Sequence, residues 1–312
     1  MEILSILLTI AGLCLFETIS SIDNAIINAE ALSTMGARAR RWFLTWGLLL
    51  AVFVIRGLLP WAIVWAATPS LGPWGALTAA FSSDPSVMGA VEASAPVLLM
   101  GGGTFLVFLF FHWLFLEEKH FGLRGERYFQ GKGVWFYAVV SVILALIVWF
   151  AVGASPLAAF GAVMGSATFF IVHGFRQNAE LQERQLVDRP LSDLSRLFYL
   201  EVIDATFSVD GVLGAFAFTL SVPLIILGNG LGAFVVREIT VGNIDRIGRY
   251  IYLKNGAMYS ILALGAIMIL DAFGFNLPGW LTPLATFGIV GYFFWRSVVV
   301  ARARSAGGEN GT

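Results

Sequence analysis

Apolar residues in this chain are gathered into blocks of about 20, and that grouping limits the fold more than any motif does. A helix rising 1.5 Å per residue needs about that length to cross the hydrocarbon of a bilayer. Of the 312 residues, 58% are apolar and 12% are charged, whereas a soluble domain carries roughly 25% charged residues. Lipid is therefore the solvent for most of the chain. Backbone polar groups cannot reach water there, so the spanning segments must be helices or a closed barrel. Runs this long select helices.

Nine spans are predicted: Ile3 to Ala29, Trp42 to Ala67, Ala95 to Leu116, Val134 to Val152, Pro156 to Gly174, Leu197 to Thr219, Val222 to Thr240, Tyr250 to Phe273 and Trp280 to Val300. The chain reads as an all-α integral membrane protein, one polytopic domain over residues 1–304 with a polar, disordered tail over 305–312. The first run has only Met1 and Glu2 before it and no basic n-region, so a retained helix is expected instead of a cleaved signal. A net charge of −1 argues against a nucleic-acid partner. The single cysteine, Cys14, excludes an intrachain disulfide and a thiolate metal cluster. His112, His120 and His173 are scattered, which disfavours a zinc site of the His/Cys type.

Basic residues set the orientation. Every Lys and Arg except Arg56 falls on alternate connections: Arg38 to Arg41, Lys119 to Lys132, Arg176 to Arg196, Arg237 to Lys254, and Arg296 to Arg304. The intervening connections, including the long loop Thr68 to Ser94, have none. The N-terminus is expected outside and the C-terminus in the cytoplasm, with the chain integral to the plasma (inner) membrane.

Two polar stretches interrupt the apolar runs. One is Glu17-Thr-Ile-Ser-Ser21-Ile-Asp23-Asn24, and the other is Asp204-Ala-Thr-Phe-Ser208-Val-Asp210-Gly211. In both, a carboxylate is followed four residues on by Ser and six on by Asp. Span one and span six run in opposite directions, so the shared motif lies on antiparallel helices. A second match, Ala51 to Arg56 in span two with Gly232 to Arg237 in span seven, repeats this relation. Spans one to three (about 1–116) and six to eight (about 197–273) therefore read as an inverted repeat. Spans four and five (about 134–174) join the halves, and a last span (about 280–300) follows. Inverted repeats are common in secondary transporters, with the site near the midplane at the repeat interface.

Ionised carboxylates at membrane depth are costly and usually functional. On a straight helix Glu17, Ser21 and Asn24 share a face, with Asp23 about 120° away. Convergence of all the acids requires local unwinding or a cavity with two faces. The expected metal site is Glu17, Ser21, Asp23, Asn24, Asp204, Ser208 and Asp210. Four carboxylates so close must either take up protons or hold a cation, and that competition is a means of exchanging one for the other. An all-oxygen site favours hard ions such as Mn2+, Ca2+ or Mg2+.

Glu201, one turn before Asp204, is a candidate fifth ligand or proton relay. Arg56 and Arg237 are candidates to pair with the acids or to gate the route by swapping partners, against snorkelling to the head groups. Asn229, in Gly228-Asn-Gly-Leu-Gly232, is a candidate ion-path amide, against a glycine packing stripe. His112 and His173 are expected at the interface, as are Trp42, Trp61, Trp65, Trp113, Trp135, Trp149, Trp280 and Trp295. Gly161-xxx-Gly165 is a small-xxx-small pattern of the kind that forms homodimers.

The two motifs, and above all Leu200-Glu-Val-Ile-Asp-Ala-Thr-Phe-Ser-Val-Asp-Gly211, resemble the signature segments of the TerC (tellurium-resistance membrane protein) family, in its "domain of unknown function" branch. The resemblance spans nearly the whole chain. It implies an inverted-repeat fold akin to the lysine-exporter superfamily, export of Mn2+ or a related divalent cation, and ion-site positions Glu17, Asp23, Asn24, Asp204 and Asp210. Many relatives have Ser after the last Asp, where this chain has Gly211.

The leading expectation is a non-enzymatic secondary exporter of a hard divalent cation, manganese first, driven by proton or sodium exchange. No tightly bound cofactor is expected, and no nucleotide-binding motif is present. Its partners are then membrane lipid and the divalent cation. The alternatives are a membrane scaffold docking soluble stress-response proteins on Glu117 to Lys132 or Arg176 to Arg196, and an exporter of an organic cation such as an amino acid. An intramembrane hydrolase is disfavoured, because no Ser-His pairing or metal-protease signature accompanies the acids.

Overall fold

A computed structural model describes residues 2–22, 25, 35–47, 49–50, 56–79, 85–187, 192–242 and 250–308. Within these, side chains are described except at 2, 44, 85, 88, 176, 178–187, 193, 196, 199–200, 203–207, 239–242 and 304–308. The described residues are helical with no strand. In chain order the helices are α1 (Glu2–Ser20), α2 (Ala37–Trp42), α3 (Arg56–Ala67), α4 (Gly72–Thr78), α5 (Pro85–Leu116), α6 (Glu126–Phe129), α7 (Gly133–Ala154), α8 (Pro156–Val187), α9 (Asp193–Ala215), α10 (Val222–Gly242), α11 (Leu253–Ala272) and α12 (Leu281–Gly308).

Six of the described helices are long and apolar enough to cross a membrane, at Ile3–Ser20, Gly89–Leu116, Gly133–Ala154, Pro156–Phe175, Leu253–Ala272 and Leu281–Ala303. These correspond to six of the nine expected spans. The second expected span lies partly outside the described residues. The sixth and seventh are α9 and α10, which carry the half-buried Glu201 and Asp210 and the buried Arg237.

The bundle is built around α5, which packs against α8, α11, α7, α9 and α3. Phe105, Leu106, Phe108, Leu109 and Trp113 along α5 are almost fully buried. Aromatic side chains from its neighbours meet it edge-on, with Phe169 of α8 at 5.7 Å from Phe108. The helix begins at Pro85, where a loop to Ser94 was expected. The hydroxyl of Ser94 lies 2.9 Å from the Ala90 carbonyl and 2.8 Å from the Ala67 carbonyl, so this polar residue is satisfied inside the helix. Trp113 is a correction of another kind. It was expected at the interface and is wholly buried, while Trp135, Trp149, Trp280 and Trp295 are exposed on the outer surface.

Local chemistry sets the turns. Ser155 is extended and Pro156 opens α8, so α7 stops at Ala154 and the chain reverses at once. The Ser155 hydroxyl accepts from the Ala158 amide at 3.3 Å, which caps the new helix. After α5, Glu126 is buried and accepts from the Gly122 and Leu123 amides and from Asn255 of α11 at 2.8, 3.0 and 3.0 Å. Arg296 of α12 donates to the Gly122 carbonyl. The segment Glu117 to Lys132, a candidate surface for soluble partners, is tied to two helices. Lys119 in that loop donates to the Trp113 and Leu114 carbonyls and covers the end of α5. Burial pushes its ammonium down to about 8, against the pull of Glu126 and Glu117.

Gly161 and Gly165 are used within the chain. A Cβ at Gly161 would lie 2.6 Å from the Val97 carbonyl, and one at Gly165 would overlap the Gly101 carbonyl. The stripe lets α8 and α5 touch backbone to backbone, so a homodimer would need another face. Gly165→Val places methyl groups against unyielding backbone. Overpacking of this kind costs about 1–3 kcal/mol, and the purified variant should melt at a lower temperature than wild type in a fluorescence-detected thermal scan.

Candidate functional site

Glu17 is the centre of the site. It lies in the last turn of α1 and is 1% exposed, in a helix whose stretch from Ile6 to Phe16 is apolar apart from Thr9. One carboxylate oxygen, Oε1, receives Arg56 Nε at 2.8 Å and Nη2 at 2.6 Å, and the Ser21 hydroxyl at 2.9 Å. Ser21 can do this because residues four apart share a helix face. The backbone keeps helical spacing past the end of α1, with Ser21 N bonded to Glu17 O at 3.1 Å and Ala25 N to Ser21 O at 2.9 Å. Asp23 and Asn24, the next members of the first motif, lie outside the described residues.

The second motif reaches the same place from α9. A Cβ at Gly211 would lie 2.6 Å from Glu17 Oε2, so the two motifs touch at the residue after Asp210. A side chain at Gly211 would have to displace the Glu17 carboxylate. Gly232 of α10 makes the third wall, where a Cβ would lie 2.6 Å from Glu17 Cβ and 2.8 Å from the Cys14 carbonyl. Ser208 is buried, while Asp210 is half-buried and lines a cavity of about 580 Å3 together with Ser20. Asp204 lies on α9 with its side chain outside the described set.

A second arginine repeats the pattern. Arg237 of α10, 9% exposed, places Nη2 3.8 Å from Glu201 Oε1 of α9. It donates to the Phe43 carbonyl and lies over the Phe43 ring at 3.9 Å. Phe43 opens a π-helical turn, Phe43–Gly47, a wide turn often found at functional sites. A Cβ at Gly47 would overlap Glu201 Oε1 and lie 3.2 Å from Arg237 Nη1. Both arginines are therefore internal counter-ions and not snorkelling residues. Asn229 is fully buried on α10, and neither its amide nitrogen nor its oxygen has a hydrogen-bond partner among the described residues. Such groups are rare and call for an explanation.

The histidines also depart from expectation. His112 is buried and its ring stands 3.9 Å from that of His173, with Glu117 Oε1 3.5 Å from His112 Nδ1 and Lys254 Nζ 2.8 Å from Glu117 Oε2. The five-residue interval from His112 to Glu117 was visible in the sequence, but the partners on α8 and α11 were not. Among the described residues no group of three or more His, Cys, Asp or Glu is arranged to hold a metal ion.

The sequence matches a family described as "Protein of unknown function (DUF475)" over residues 22–304. The chain belongs to the DUF475 family. Asp23, Asn24, Arg56, Glu201, Asp204, Asp210 and Arg237 fall within the matched residues, while Glu17 and Ser21 precede them. No curated protein and no solved structure matches the chain.

Two outcomes follow from these contacts. Arg56→Met strands a buried carboxylate, which costs about 3–5 kcal/mol, and the Arg56→Met/Glu17→Gln double variant should recover most of that loss in a chemical denaturation series. Glu117 tests pH linkage. Burial alone would raise its carboxyl, but the hydrogen bond with His112 and the charge of Lys254 outweigh this and hold it well below its ordinary value of 4.5. Its stabilisation is present above about 4.5 and is lost as pH falls toward the lower folded value. Melting temperature should drop on acidification below that point, and Glu117→Gln should flatten the drop.

Proposed function

We propose that this chain is a secondary exporter of a hard divalent cation, manganese first, which moves through the carboxylate motifs in exchange for protons. The observation that carries the reading is the contact of Glu17 with α9 at Gly211, which sets the two acidic motifs against each other inside an apolar bundle. Polar groups at such depth are rarely kept without a function.

Other features support it. The helix packing supports an inverted repeat of spans one to three and six to eight. Helix α1 packs on α10 as α9 packs on α3, and α5 crosses α11. At that crossing Gly103 and Gly265 each face the other's carbonyl, with would-be Cβ distances of 2.9 and 3.0 Å. Arg56 and Arg237 hold corresponding positions, and each pairs with an acid on the preceding span of its own half, Glu17 and Glu201, although the motif spacing aligns Glu17 with Asp204. Two cavities lie at opposite ends of α5. The one of about 280 Å3 includes Glu92 and Leu98, and the one of about 580 Å3 includes His112 and Leu116. Leu98 and His112 are about 21 Å apart along a helix. Ser20 and Asp210, from the two motifs, line the larger cavity, and in this reading Asn229 offers an amide oxygen on the ion's way.

In this reading Arg56 is a tethered substitute for the transported ion. With no cation bound, its guanidinium neutralises Glu17 and keeps the acids from repelling one another. An arriving cation competes for Glu17, Asp23, Asn24, Asp204, Ser208, Ser21 and Asp210, and Arg56 withdraws. Arg237 and Glu201 do the same for the other half. The N-terminus lies outside and the C-terminus in the cytoplasm of the plasma membrane, following the distribution of Lys and Arg. Kinship with the TerC family and the lysine-exporter superfamily belongs to this proposal and rests on the motifs.

The test is flux of radioactive manganese in everted membrane vesicles. Wild type should accumulate the ion, and Asp23→Asn or Asp210→Asn should fall to the level of empty-vector vesicles while reaching the membrane in equal amount. Undiminished flux in both variants would overturn the assignment.

A further inference from the structure

One cluster of titratable groups is distinct from the Glu17–Arg56 and Glu201–Arg237 pairs. His112 lies near the end of α5 and His173 on α8, and their rings stand 3.9 Å apart between centroids, tilted by 56°. Aromatic rings fix both. Phe136 meets His112 edge-on at 5.6 Å, and Phe169 stacks flat on His173 at 5.7 Å. Glu117 faces the pair from the end of α5, with Lys254 of α11 behind it. All four line the 580 Å3 cavity, as do Glu118, Tyr137 and, from the two acidic motifs, Ser20 and Asp210.

Two imidazolium rings this close would repel strongly. One imidazolium beside one neutral imidazole does not, because the neutral ring offers a lone pair where the charged ring offers an N–H. Glu117 and Lys254 set one charge of each sign beside the pair. The flanking Phe rings prevent the imidazoles from rotating apart. The cavity has ample volume for a chain of waters reaching Asp210.

We infer that His112 and His173 together form one proton-binding site, which loads a single proton at this end of the bundle and releases it into the cavity shared with the acidic motifs. In release, an imidazolium N–H bond breaks, cavity water takes the proton, and the pair returns to two neutral rings. The role of this proton as the counter-ion of export rests on the function proposed above, whereas the existence of the shared site does not.

Two measurements separate these claims. His120→Gln protein in lipid nanodiscs carries only the two rings of interest, and its imidazole resonances can be followed against pH. Both rings should respond together in two steps at least about one pH unit apart, as coupled sites do, and adding His173→Gln should leave His112 with a single step. Two independent single-step curves, with His112 unaltered by His173→Gln, would overturn the shared site. In proteoliposomes holding a pH dye, wild-type manganese flux should be matched by opposite proton flux, and His173→Gln should abolish the proton flux and the response to a pH gradient. Manganese flux with unchanged proton counterflow in His173→Gln would overturn the coupling role. Coupled titration in a protein that moves no manganese would leave the proton site standing and remove the export reading.

Discussion

Burying a carboxylate in a membrane bundle is tolerated only when another charge comes with it, and the Glu17–Arg56 pair meets that condition here. In a low-dielectric interior an unpaired ion would shift its protonation or unfold its surroundings. The pair holds α1 to the helix carrying Arg56. Its geometry also explains the glycines around it. Gly211 and Gly232 bring α9 and α10 close to Glu17, where a side chain would collide with it. The second pair, Glu201 and Arg237, uses the same solution with a π-helical turn and the Phe43 ring in addition.

Around these pairs the bundle keeps its polar groups in layers along α5. Thr68, Glu92 and Ser221 line the cavity toward one end of that helix, and the histidine pair, Glu117 and Lys254 line the cavity toward the other. Between them the helices touch through aromatic rings and bare backbone.

Much of this was legible beforehand. Apolar blocks of bilayer length predicted helices, and six of them are present as long apolar helices. The repeated spacing of acid, serine and acid also pointed to α1 and α9 as neighbours, and Glu17 does approach Gly211. Other features were not. Pro85 to Ser94 read as a loop because Glu92 and Ser94 are polar, yet Ser94 finds a carbonyl on its own helix and another on α3. Trp113 and His112 read as interfacial because their residue types favour that place, and packing against α8 and α11 overrode the preference. Gly161 and Gly165 read as a surface for a second copy, and Val97 and Gly101 take that place within the chain.

Sequence alone determined the solvent of this protein, and with it the helical class, because backbone hydrogen bonds must close locally wherever water is absent. It also determined which residues carry unusual charge, since an acid in an apolar run stands out in any context. Tertiary structure decided the partners. That Glu17 meets Arg56 and Gly211, and that two histidines 61 positions apart share one cavity, depends on how helices cross. Crossings are set by the sizes of side chains on several helices at once, a property that no single stretch of sequence contains.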